Sequence, residues 1–210
     1  TVLFVKESLN TTVRNRYDIE NKTALPVIGE VPFFHFHPQG RWQRWLAVFA
    51  RQNKRQESTD MVVVHPGNHN LINEAFRIIR TNLEFGTGKG QANNVYIVTS
   101  DDSGTGKSFI SINVAIALAI KERNVLLIDG DMRHATTSRT FGAHSAGLAD
   151  YLGGKHDNFS ELIVQSEEYP NLHILPVGTI PTNPTELLSS QRLEQLIARV
   201  RGQYDFVLID

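Results

Sequence analysis

The sequence predicts an α/β fold in which a parallel β-sheet is covered by helices on both faces. Three observations support this prediction. Short, fully apolar segments, VLLI at residues 125–128 and FVLI within YDFVLID, are typical of strands buried on both faces. Segments with apolar residues at helical spacing alternate with these strands, as parallel sheets require. A glycine-bearing loop, SDDSGTGKS, stands where another apolar run passes into a helix.

Length and composition exclude several classes of protein. A chain of 210 residues with 40% hydrophobic residues suits one sizeable α/β domain with appendages. The formal net charge of −1 argues against a general polyanion binder, so no nucleic-acid partner is expected. The sequence has no cysteine, which excludes disulfides and cysteine redox chemistry. No run approaches the roughly 18 to 20 apolar residues that cross a bilayer, and a first residue other than Met suggests a piece of a longer protein.

The first 60 residues are expected to be appendages and an edge of the main domain. Residues 1–24 are predicted to form a helical segment, for which a frayed terminal helix is the alternative, and residues 25–210 the main domain, with its C-terminal part missing after Asp210. Within that domain LPVIGEVP, residues 25–32, is predicted to be an edge strand, because an apolar run bounded by proline is typical of sheet edges.

Residues 33–60 form an insertion that is rich in aromatic and basic residues. A helix from about Gly40 to Arg55 would carry Trp42, Trp45, Leu46 and Phe49 on one face. A basic amphipathic helix with tryptophans is typical of contact with a membrane surface. The alternatives are an insertion helix packed on the domain and a partly disordered loop. The pair His35 and His37 has no third ligand nearby, which argues against a metal site.

The next segment predicts a strand, MVVV at residues 61–64, followed by the helix LINEAFRIIRTNLEF. Its apolar residues recur at helical spacing and should face the core: Ile72, Phe76, Ile79 and Leu83. Glu74 and Arg77 project away from that face and Arg80 lies on its flank, so these three side chains are expected to be free for another subunit. A solvated charged face is the alternative.

The loop before Lys107 is predicted to bind the phosphates of a nucleotide. A strand around Val95–Val98, expected to be buried, leads into the loop, and FISINVAIALAI continues as a helix. Amides of the first helical turn attract phosphate, Lys107 can reach the terminal phosphates, and Ser108 can bind the accompanying Mg²⁺. Asp101 replaces the first glycine of the usual pattern, and an ordinary glycine turn is the alternative. Predicted ATP contacts are Ser103, Gly104, Thr105, Gly106, Lys107, Ser108 and Phe109.

Carboxylates follow two of the predicted buried strands. Asp129 and Asp131 come directly after VLLI, and Asp210 ends YDFVLID. Ligands of parallel α/β sheets bind at the carboxyl ends of strands, so these groups are well placed to hold Mg²⁺ or accept a proton. A capping role for the DGD turn is the alternative. These features predict a P-loop NTPase-like domain.

Further elements complete the predicted sheet and its covering helices. The chain should be helical from about Gly147 and again over residues 159–164, and LHILPVG, residues 172–178, should be a strand. A proline-rich loop then opens a helix whose buried stripe is Leu193, Leu196, Ile197 and Val200.

The motifs together resemble those of the bacterial tyrosine kinases that regulate capsular and exopolysaccharide synthesis. The motifs are SDDSGTGKS, VLLIDGDMR and VLID as the Walker A, A′ and B segments, EAFRIIR at residues 74–80, GLADYLGG, and LPVGTIPTNPTELLSS. The related partition ATPases carry a signature lysine where this chain has Asp102, which weakens a partition-type interpretation. The tyrosines are scattered and form no cluster of the kind found in the family's phosphorylated tail.

The resemblance implies roles for individual residues. Lys107 would bind phosphates, and Asp129, Asp131 and Asp210 would act in metal positioning and acceptor activation, with Arg133 the arginine of the Walker A′ motif. The metal ligands would be Ser108, Asp131 and Asp210. Glu74, Arg77 and Arg80 would contact a neighbouring subunit.

The resemblance also implies cofactors, partners and location. ATP and Mg²⁺ are the expected cofactors, and a homo-oligomeric ring, the polysaccharide synthesis and export machinery and a tyrosine phosphatase are the expected partners. The expected location is the cytoplasmic side of the bacterial inner membrane, with residues 1–24 as a juxtamembrane-like segment. The leading hypothesis is therefore an ATP-dependent protein-tyrosine kinase that phosphorylates neighbouring subunits. A non-catalytic ATP-binding module that controls a polysaccharide co-polymerase, and a partition-type ATPase, are the alternatives.

Overall fold

The computed structural model describes residues 16–23, 25–32, 61–86, 94–102, 104–142 and 145–210. The predicted insertion at residues 33–60, with Trp42, Trp45 and the two histidines, lies outside the described residues. Most of the predicted N-terminal helical segment and Ser103 of the phosphate loop lie outside them as well. Everything below concerns the described part of the chain.

A five-stranded sheet forms the centre of the fold. In chain order its strands are β1 (Val95–Ile97), β2 (Val125–Ile128), β3 (Val164–Gln165), β4 (Leu172–Leu175) and β5 (Phe206–Ile209). The spatial order is β1-β5-β2-β4-β3. Strands β1, β5, β2 and β4 are parallel, whereas β3 pairs antiparallel with β4. The predicted parallel sheet is therefore confirmed for four strands, with one short antiparallel strand at its edge.

Seven α-helices and a 3₁₀ helix are described. They are α1 (Arg16–Thr23), α2 (Leu71–Gly86), α3 (Lys107–Ala119), α4 (Thr136–Thr140), α5 (Leu148–Leu152), a 3₁₀ helix (Phe159–Leu162), α6 (Pro184–Leu188) and α7 (Gln191–Val200). Among the described residues, none of these helices has the length and apolar character needed to span a bilayer. The predicted helices around Gly147 and after the proline-rich loop are confirmed as α5 and α7.

Two apolar clusters form the core, one on each face of the sheet, where the helices pack. Strand β2 shows the division, because Val125 and Leu127 contribute to one cluster and Leu126 and Ile128 to the other. The first cluster contains residues of α2 and α3, and the second contains residues of α5 and α7. All four β2 side chains are fully buried, as predicted from the apolar run. Each such side chain stabilises the fold by roughly 1.5–3 kcal/mol.

Strand β1 differs from its prediction, because it is not a buried central strand. It has β5 as its neighbour on one side and lies at the edge of the described sheet. Its Ile97 side chain is 72% exposed. An apolar run of this length indicates a strand but does not indicate how many neighbours the strand has.

The predicted strand at residues 61–64 is wrong, because this segment pairs with no strand in the described part of the chain. Buried side-chain amides satisfy its backbone instead. Asn113 of α3 accepts from the amides of Val63 and Val64, at 2.9 and 3.1 Å, and its Nδ2 donates to Met61 O at 2.7 Å. Asn73 of α2 donates to Val63 O at 3.0 Å. Two asparagines therefore replace a neighbouring strand and leave the apolar side chains packed against the first core cluster.

The predicted edge strand at residues 25–32 is wrong as well. These residues form no strand with any other described segment, and they pack on α2. Asn82 Nδ2 donates to Ile28 O at 2.7 Å. A Cβ on Gly29 would lie 2.3 Å from Cγ1 of Ile79, so only glycine permits this close approach to the helix.

Helix α2 confirms the predicted core face but not the expected freedom of all three charged residues. Ile72, Phe76 and Ile79 are buried. Arg80, however, is only 8% exposed, and its Nη1 lies 3.4 Å from Ala117 O of α3. Arg77 is exposed and donates to Glu74 Oε1 at 2.7 Å. The expectation that Arg80 is free for another subunit is therefore corrected, because the helix turns this side chain towards α3.

We expect His173 on β4 to make the fold acid-sensitive. Burial lowers the pKa of His173, whose Nδ1 has no hydrogen-bond partner among the described residues and whose ring meets that of Tyr204 at 5.5 Å. Below about pH 6.5 this histidine is protonated in the unfolded chain but stays neutral to a lower pH in the folded chain. Protonation therefore favours the unfolded state, and the free energy of unfolding should fall as the pH drops. Urea unfolding of wild type and His173→Phe at pH 7 and 5 should show a weaker pH dependence in the variant. The exposed His69→Gln variant is the control, and equal pH dependence in all three proteins would contradict the prediction.

Candidate active site

The site lies where the carboxyl ends of β2 and β5 approach the first turn of α3. The two strands are paired in register, with Ile128 opposite Ile209, so the aspartates that follow them are neighbours. The amide of Gly130 donates to Asp210 O at 3.1 Å. A Cβ on Gly130 would lie 2.9 Å from the same oxygen, so the glycine of DGD permits the two strand ends to approach this closely. This edge of a parallel sheet is the usual ligand site of α/β folds.

The loop before α3 has the backbone of an anion-binding turn. Gly104 and Gly106 have φ angles of 79° and 98°, in the left-handed region that favours glycine. Gly106 caps α3, and its carbonyl accepts from Ile110 N at 2.9 Å. The amides at the start of this 13-residue helix have no partner four residues earlier in the helix, and the helix dipole is positive at this end. The loop can therefore bind the phosphates of a nucleotide.

Lys107 lies back across the loop. Its Nζ donates to Ser100 Oγ at 2.8 Å and to Asp102 O at 3.0 Å. Thr105 Oγ1 donates to the same Ser100 hydroxyl at 2.6 Å. Ser100 begins the loop, and its hydroxyl accepts hydrogen bonds from both Thr105 and Lys107. This residue was not singled out from the sequence. A phosphate oxygen can replace Ser100 and Asp102 O as the acceptor for the ammonium group.

Two hydroxyl groups hold the carboxylate of Asp210. Ser111 Oγ of α3 donates to Oδ1 at 3.0 Å, and Thr137 Oγ1 of α4 donates to Oδ2 at 2.6 Å. Both serine and threonine are fully buried. Ser108, predicted to bind Mg²⁺, is half-buried in the first turn of α3, one turn before Ser111. The carboxylate is therefore fixed in orientation beside the phosphate loop.

Asp129 is completely buried and is held by Ser138. The amide and Oγ of Ser138 donate to Oδ2 at 2.7 and 2.5 Å, and the amide of Asp131 donates to Oδ1 at 3.2 Å. Burial raises the pKa of Asp129 to about 6, and the negative charges of Asp210 and Asp131 add to this, whereas the Ser138 hydrogen bonds oppose it. This carboxylate holds the turn at Asp131 and the start of the helix that carries Ser138 in place. Its predicted catalytic role stays a prediction.

Asp131 is the more accessible of the two DGD carboxylates. Its Oδ1 accepts from the amides of Arg133 and His134, each at 3.1 Å, and its Oδ2 lies 3.1 Å from His134 Nδ1. Partial burial alone would raise the pKa of Asp131, but hydrogen bonds from His134 and Arg133 hold it below its ordinary value. The side chain is therefore ionised at neutral pH and partly open to the cleft.

The donors at this edge suit Mg²⁺ in the presence of a nucleotide. Hydroxyl and carboxylate oxygens are its preferred protein ligands, and it usually combines one or two carboxylates with phosphate oxygens and water. Within the described ranges no three His, Cys, Asp or Glu side chains converge to hold a metal alone. The residues at this edge, Ser108, Asp131 and Asp210, therefore fit an ion that shares its coordination with phosphates.

Four further hydroxyl residues that organise the site were not predicted from the sequence, which indicated the carboxylates, Lys107 and the hydroxyl residues of the loop itself. Ser111 lies one helical turn after Lys107, so its spacing could have placed it beside the loop. The TTS run that starts α4 gave no comparable signal, because its contacts depend on how the chain turns after Asp131. The missed residues are Ser100, Ser111, Thr137 and Ser138.

Comparison with known proteins first defines the class of domain. The AAA domain family model matches residues 94–210, more than half of the chain. This range begins directly before β1 and includes the phosphate loop, all three aspartates and the whole sheet. The chain therefore belongs to this class of P-loop nucleotide-binding domains.

Individual relatives narrow the class to a family. The chain is 38% identical over 196 residues to the tyrosine-protein kinase Wzc of Salmonella typhi, across 91% of this chain and 26% of that protein. It is 32% identical over 158 residues to CapB of Staphylococcus aureus, whose name assigns it to the same class, across 75% of this chain and 68% of that protein. The chain belongs to the bacterial tyrosine-protein kinase family. It spans about a quarter of the length of the first relatives it matches.

Solved structures agree with this assignment. The kinase domain of the Escherichia coli tyrosine kinase ETK is similar with a TM-score of 0.72 and 25% identity, over 93% of this chain and 71% of that chain. The BceF tyrosine kinase domain is similar with a TM-score of 0.71 and 30% identity, over 94% of this chain and 76% of that chain. The resemblance predicted from the motifs is thus confirmed, and so is the P-loop NTPase-like fold.

Proposed function

We propose that this chain is the catalytic domain of an ATP-dependent protein-tyrosine kinase that phosphorylates tyrosines of neighbouring subunits. The observation that carries the proposal is the arrangement of Lys107, Asp131 and Asp210 around one loop at the carboxyl edge of the sheet. This arrangement supports phosphoryl transfer, in which a protein acts mainly by positioning and by neutralising charge. Membership of the tyrosine-kinase family supports tyrosine as the acceptor.

Each group has a role that its geometry supports. The loop amides and Lys107 hold the β- and γ-phosphates and neutralise negative charge as the γ-phosphoryl group leaves. Ser108, Asp131 and Asp210 would hold Mg²⁺, which supplies further charge neutralisation when it is bound. Asp131, ionised and partly exposed, is the carboxylate placed to orient the incoming tyrosine hydroxyl. Asp129 fixes the turn that carries Asp131.

The direct test is phosphotyrosine formation. The purified protein is incubated with ATP and Mg²⁺, with and without a synthetic Glu–Tyr copolymer as an external acceptor, and probed with an anti-phosphotyrosine antibody. Signal that requires both ATP and Mg²⁺ supports the proposal. Tight ATP binding without phosphotyrosine on either acceptor would instead favour a non-catalytic module that controls assembly of a polysaccharide co-polymerase.

We further propose that the kinase acts as a homo-oligomer at the cytoplasmic side of a bacterial inner membrane, in capsular or exopolysaccharide synthesis. The resemblance of the motifs implies this placement, and the quarter-length coverage is consistent with a domain of a larger protein. The predicted Trp42 and Trp45 contact with the membrane belongs to the same proposal. The synthesis and export machinery and a tyrosine phosphatase are the partners that the family resemblance implies.

The corrected position of Arg80 changes what substitutions in α2 should do. Arg77 is exposed, so Arg77→Ala should weaken self-association and leave the melting temperature unchanged, since an exposed ion pair contributes only about 0–1 kcal/mol. Arg80 is buried against α3, so Arg80→Ala removes packing at this contact and should lower the melting temperature of the monomer itself. Light scattering and thermal unfolding of both single variants make the comparison. If Arg77→Ala has the same mass as wild type, at a concentration where wild type is oligomeric, the Glu74–Arg77 pair is only part of a solvated helix face and has no role in self-association.

A further inference from the structure

Two consecutive hydroxyl residues of α4 reach two different carboxylates of the site. Thr137 Oγ1 donates to Asp210 at 2.6 Å, and Ser138 Oγ donates to Asp129 at 2.5 Å. These aspartates follow neighbouring strands, and both hydroxyl residues are buried. A five-residue helix therefore connects the carboxylates that follow β2 and β5.

The hydroxyl groups of α4 show that this contact is not the ordinary behaviour of helical Ser and Thr. Such residues commonly donate to the carbonyl four residues earlier in their own helix. Thr140 of the same helix does this, with its Oγ1 3.0 Å from Thr136 O. Thr137 instead donates across the chain to a residue 73 positions later. The buried hydroxyl of Thr137 thus bonds to the carboxylate that follows β5 and not to its own helix.

The second hydroxyl on Asp210 comes from the phosphate-loop helix. Ser111 Oγ lies 3.0 Å from Oδ1 and also 3.0 Å from Lys107 O. With one hydroxyl on each oxygen, the carboxylate cannot rotate without losing a buried hydrogen bond. Its remaining lone pairs are free for a cation. Partners of this kind, which orient a metal-binding carboxylate without touching the metal, tune the affinity of a site.

The start of α4 is also connected, through the backbone, to the segment that carries the third aspartate. Ala135 N donates to Asp131 O at 2.8 Å, so α4 begins directly on the turn that Asp131 forms. Ser138 Oγ accepts from Val177 N at 2.9 Å, which anchors α4 to the chain after β4. The same short helix is thus fixed to all three aspartate-bearing segments and to the neighbouring strand.

We propose that Thr137 is a positioning residue of the kinase: its hydroxyl, opposed by that of Ser111, orients Asp210 for Mg²⁺ that arrives with the nucleotide. The proposal rests on the proposed nucleotide and Mg²⁺ site. It assigns to α4 the task of presetting the metal-binding carboxylate before ATP binds. Loss of the hydroxyl should therefore weaken the response to Mg²⁺ and leave metal-free nucleotide binding intact.

The test compares Thr137→Val, Thr137→Ser and the matched control Thr140→Val. Fluorescent ADP is titrated into each protein in excess Mg²⁺ and in EDTA, and the ratio of the two affinities measures the Mg²⁺ contribution. Thr137→Val should lose about tenfold or more of that ratio, the usual effect of removing such a partner. Thr137→Ser and Thr140→Val should keep the wild-type ratio. In the kinase assay Thr137→Val should require more Mg²⁺ for half-maximal rate, with the rate largely recovered at saturating Mg²⁺.

Failure of this inference is distinguishable from failure of the proposed function. If wild type binds ADP equally well with and without Mg²⁺, the metal site itself is absent and both ideas are overturned. If wild type responds to Mg²⁺ and Thr137→Val responds equally, the role of Thr137 is refuted alone. A loss shared by Thr140→Val would show a general effect of α4 and would also refute it. Thermal unfolding in EDTA checks folding, and if Thr137→Val is unfolded, Ser111→Ala carries the same comparison because it removes the opposing hydroxyl.

Discussion

Replacement of Lys107 by methionine is expected to reduce tyrosine phosphorylation by about 10²–10³-fold, the usual cost of removing one preorganised charge-stabilising group. Methionine keeps the aliphatic stem but cannot donate to a phosphate. The side chain lies across a loop, and its present partners are the Ser100 hydroxyl and a carbonyl rather than core residues. The melting temperature without nucleotide should therefore change little.

The matched control for this variant is Lys121→Met. Lys121 follows the other end of the same helix and is exposed, so it tests for a general effect of losing a lysine. Phosphotyrosine should be measured for both variants at equal protein and saturating ATP. Wild-type levels in Lys107→Met would remove the phosphate loop from the mechanism, whereas a loss in Lys121→Met would point to overall charge or folding.

Asp131→Asn should reduce phosphotransfer by about 10²-fold as well, because it removes a negative charge at the metal and acceptor side of the cleft. The amide oxygen of asparagine can still accept from the amides of Arg133 and His134, so the turn should survive. Raising the Mg²⁺ concentration should restore part of the rate if the carboxylate binds the ion.

Asp205→Asn is the control for a carboxylate that supports the backbone. Asp205 Oδ2 accepts from the amide of Asn124 at 2.8 Å, just before β5 and at the opposite edge of the sheet from the site. This variant should retain the wild-type rate at every Mg²⁺ concentration. A wild-type rate in Asp131→Asn would assign Asp131 to the turn alone.

The sequence predicted the positions of the phosphate loop and of the strand-end aspartates better than it predicted the borders of the sheet. The phosphate loop and the aspartates after β2 and β5 were predicted from motifs, and each motif is a short contiguous segment at the end of one strand. Side-chain periodicity likewise placed Ile72, Phe76 and Ile79 in the core. These features depend on contacts within a few residues or on the general rule that ligands bind at the carboxyl edge.

Other features depend on distant partners that no local pattern records. Residues 62–64 have the composition of a strand, but the fully buried Asn113, 49 positions after Val64, accepts from the amides of Val63 and Val64. Arg80 has the spacing of an exposed charge, yet the close approach of α2 to α3 covers it. The hydroxyl groups around Asp210 come from two helices that the chain brings together only after folding. Strand propensity and helical spacing describe the chain locally, and these outcomes are tertiary.

The asparagine clamp on residues 61–65 determines which parts of the molecule open together. A strand would share the stability of the sheet, whereas this segment is tied by Asn113 to the phosphate-loop helix, by Asn73 to α2, and by the Tyr169 hydroxyl, which donates to Val64 O at 3.2 Å, to the turn before β4. The amides of Val63 and Val64 exchange with solvent when Asn113 of α3 releases them, whereas the amide of His65 depends on Asn73 of α2. The segment therefore belongs to the cooperative unfolding unit of the nucleotide-binding helix, and any event that loosens α3 also frees the entry to α2.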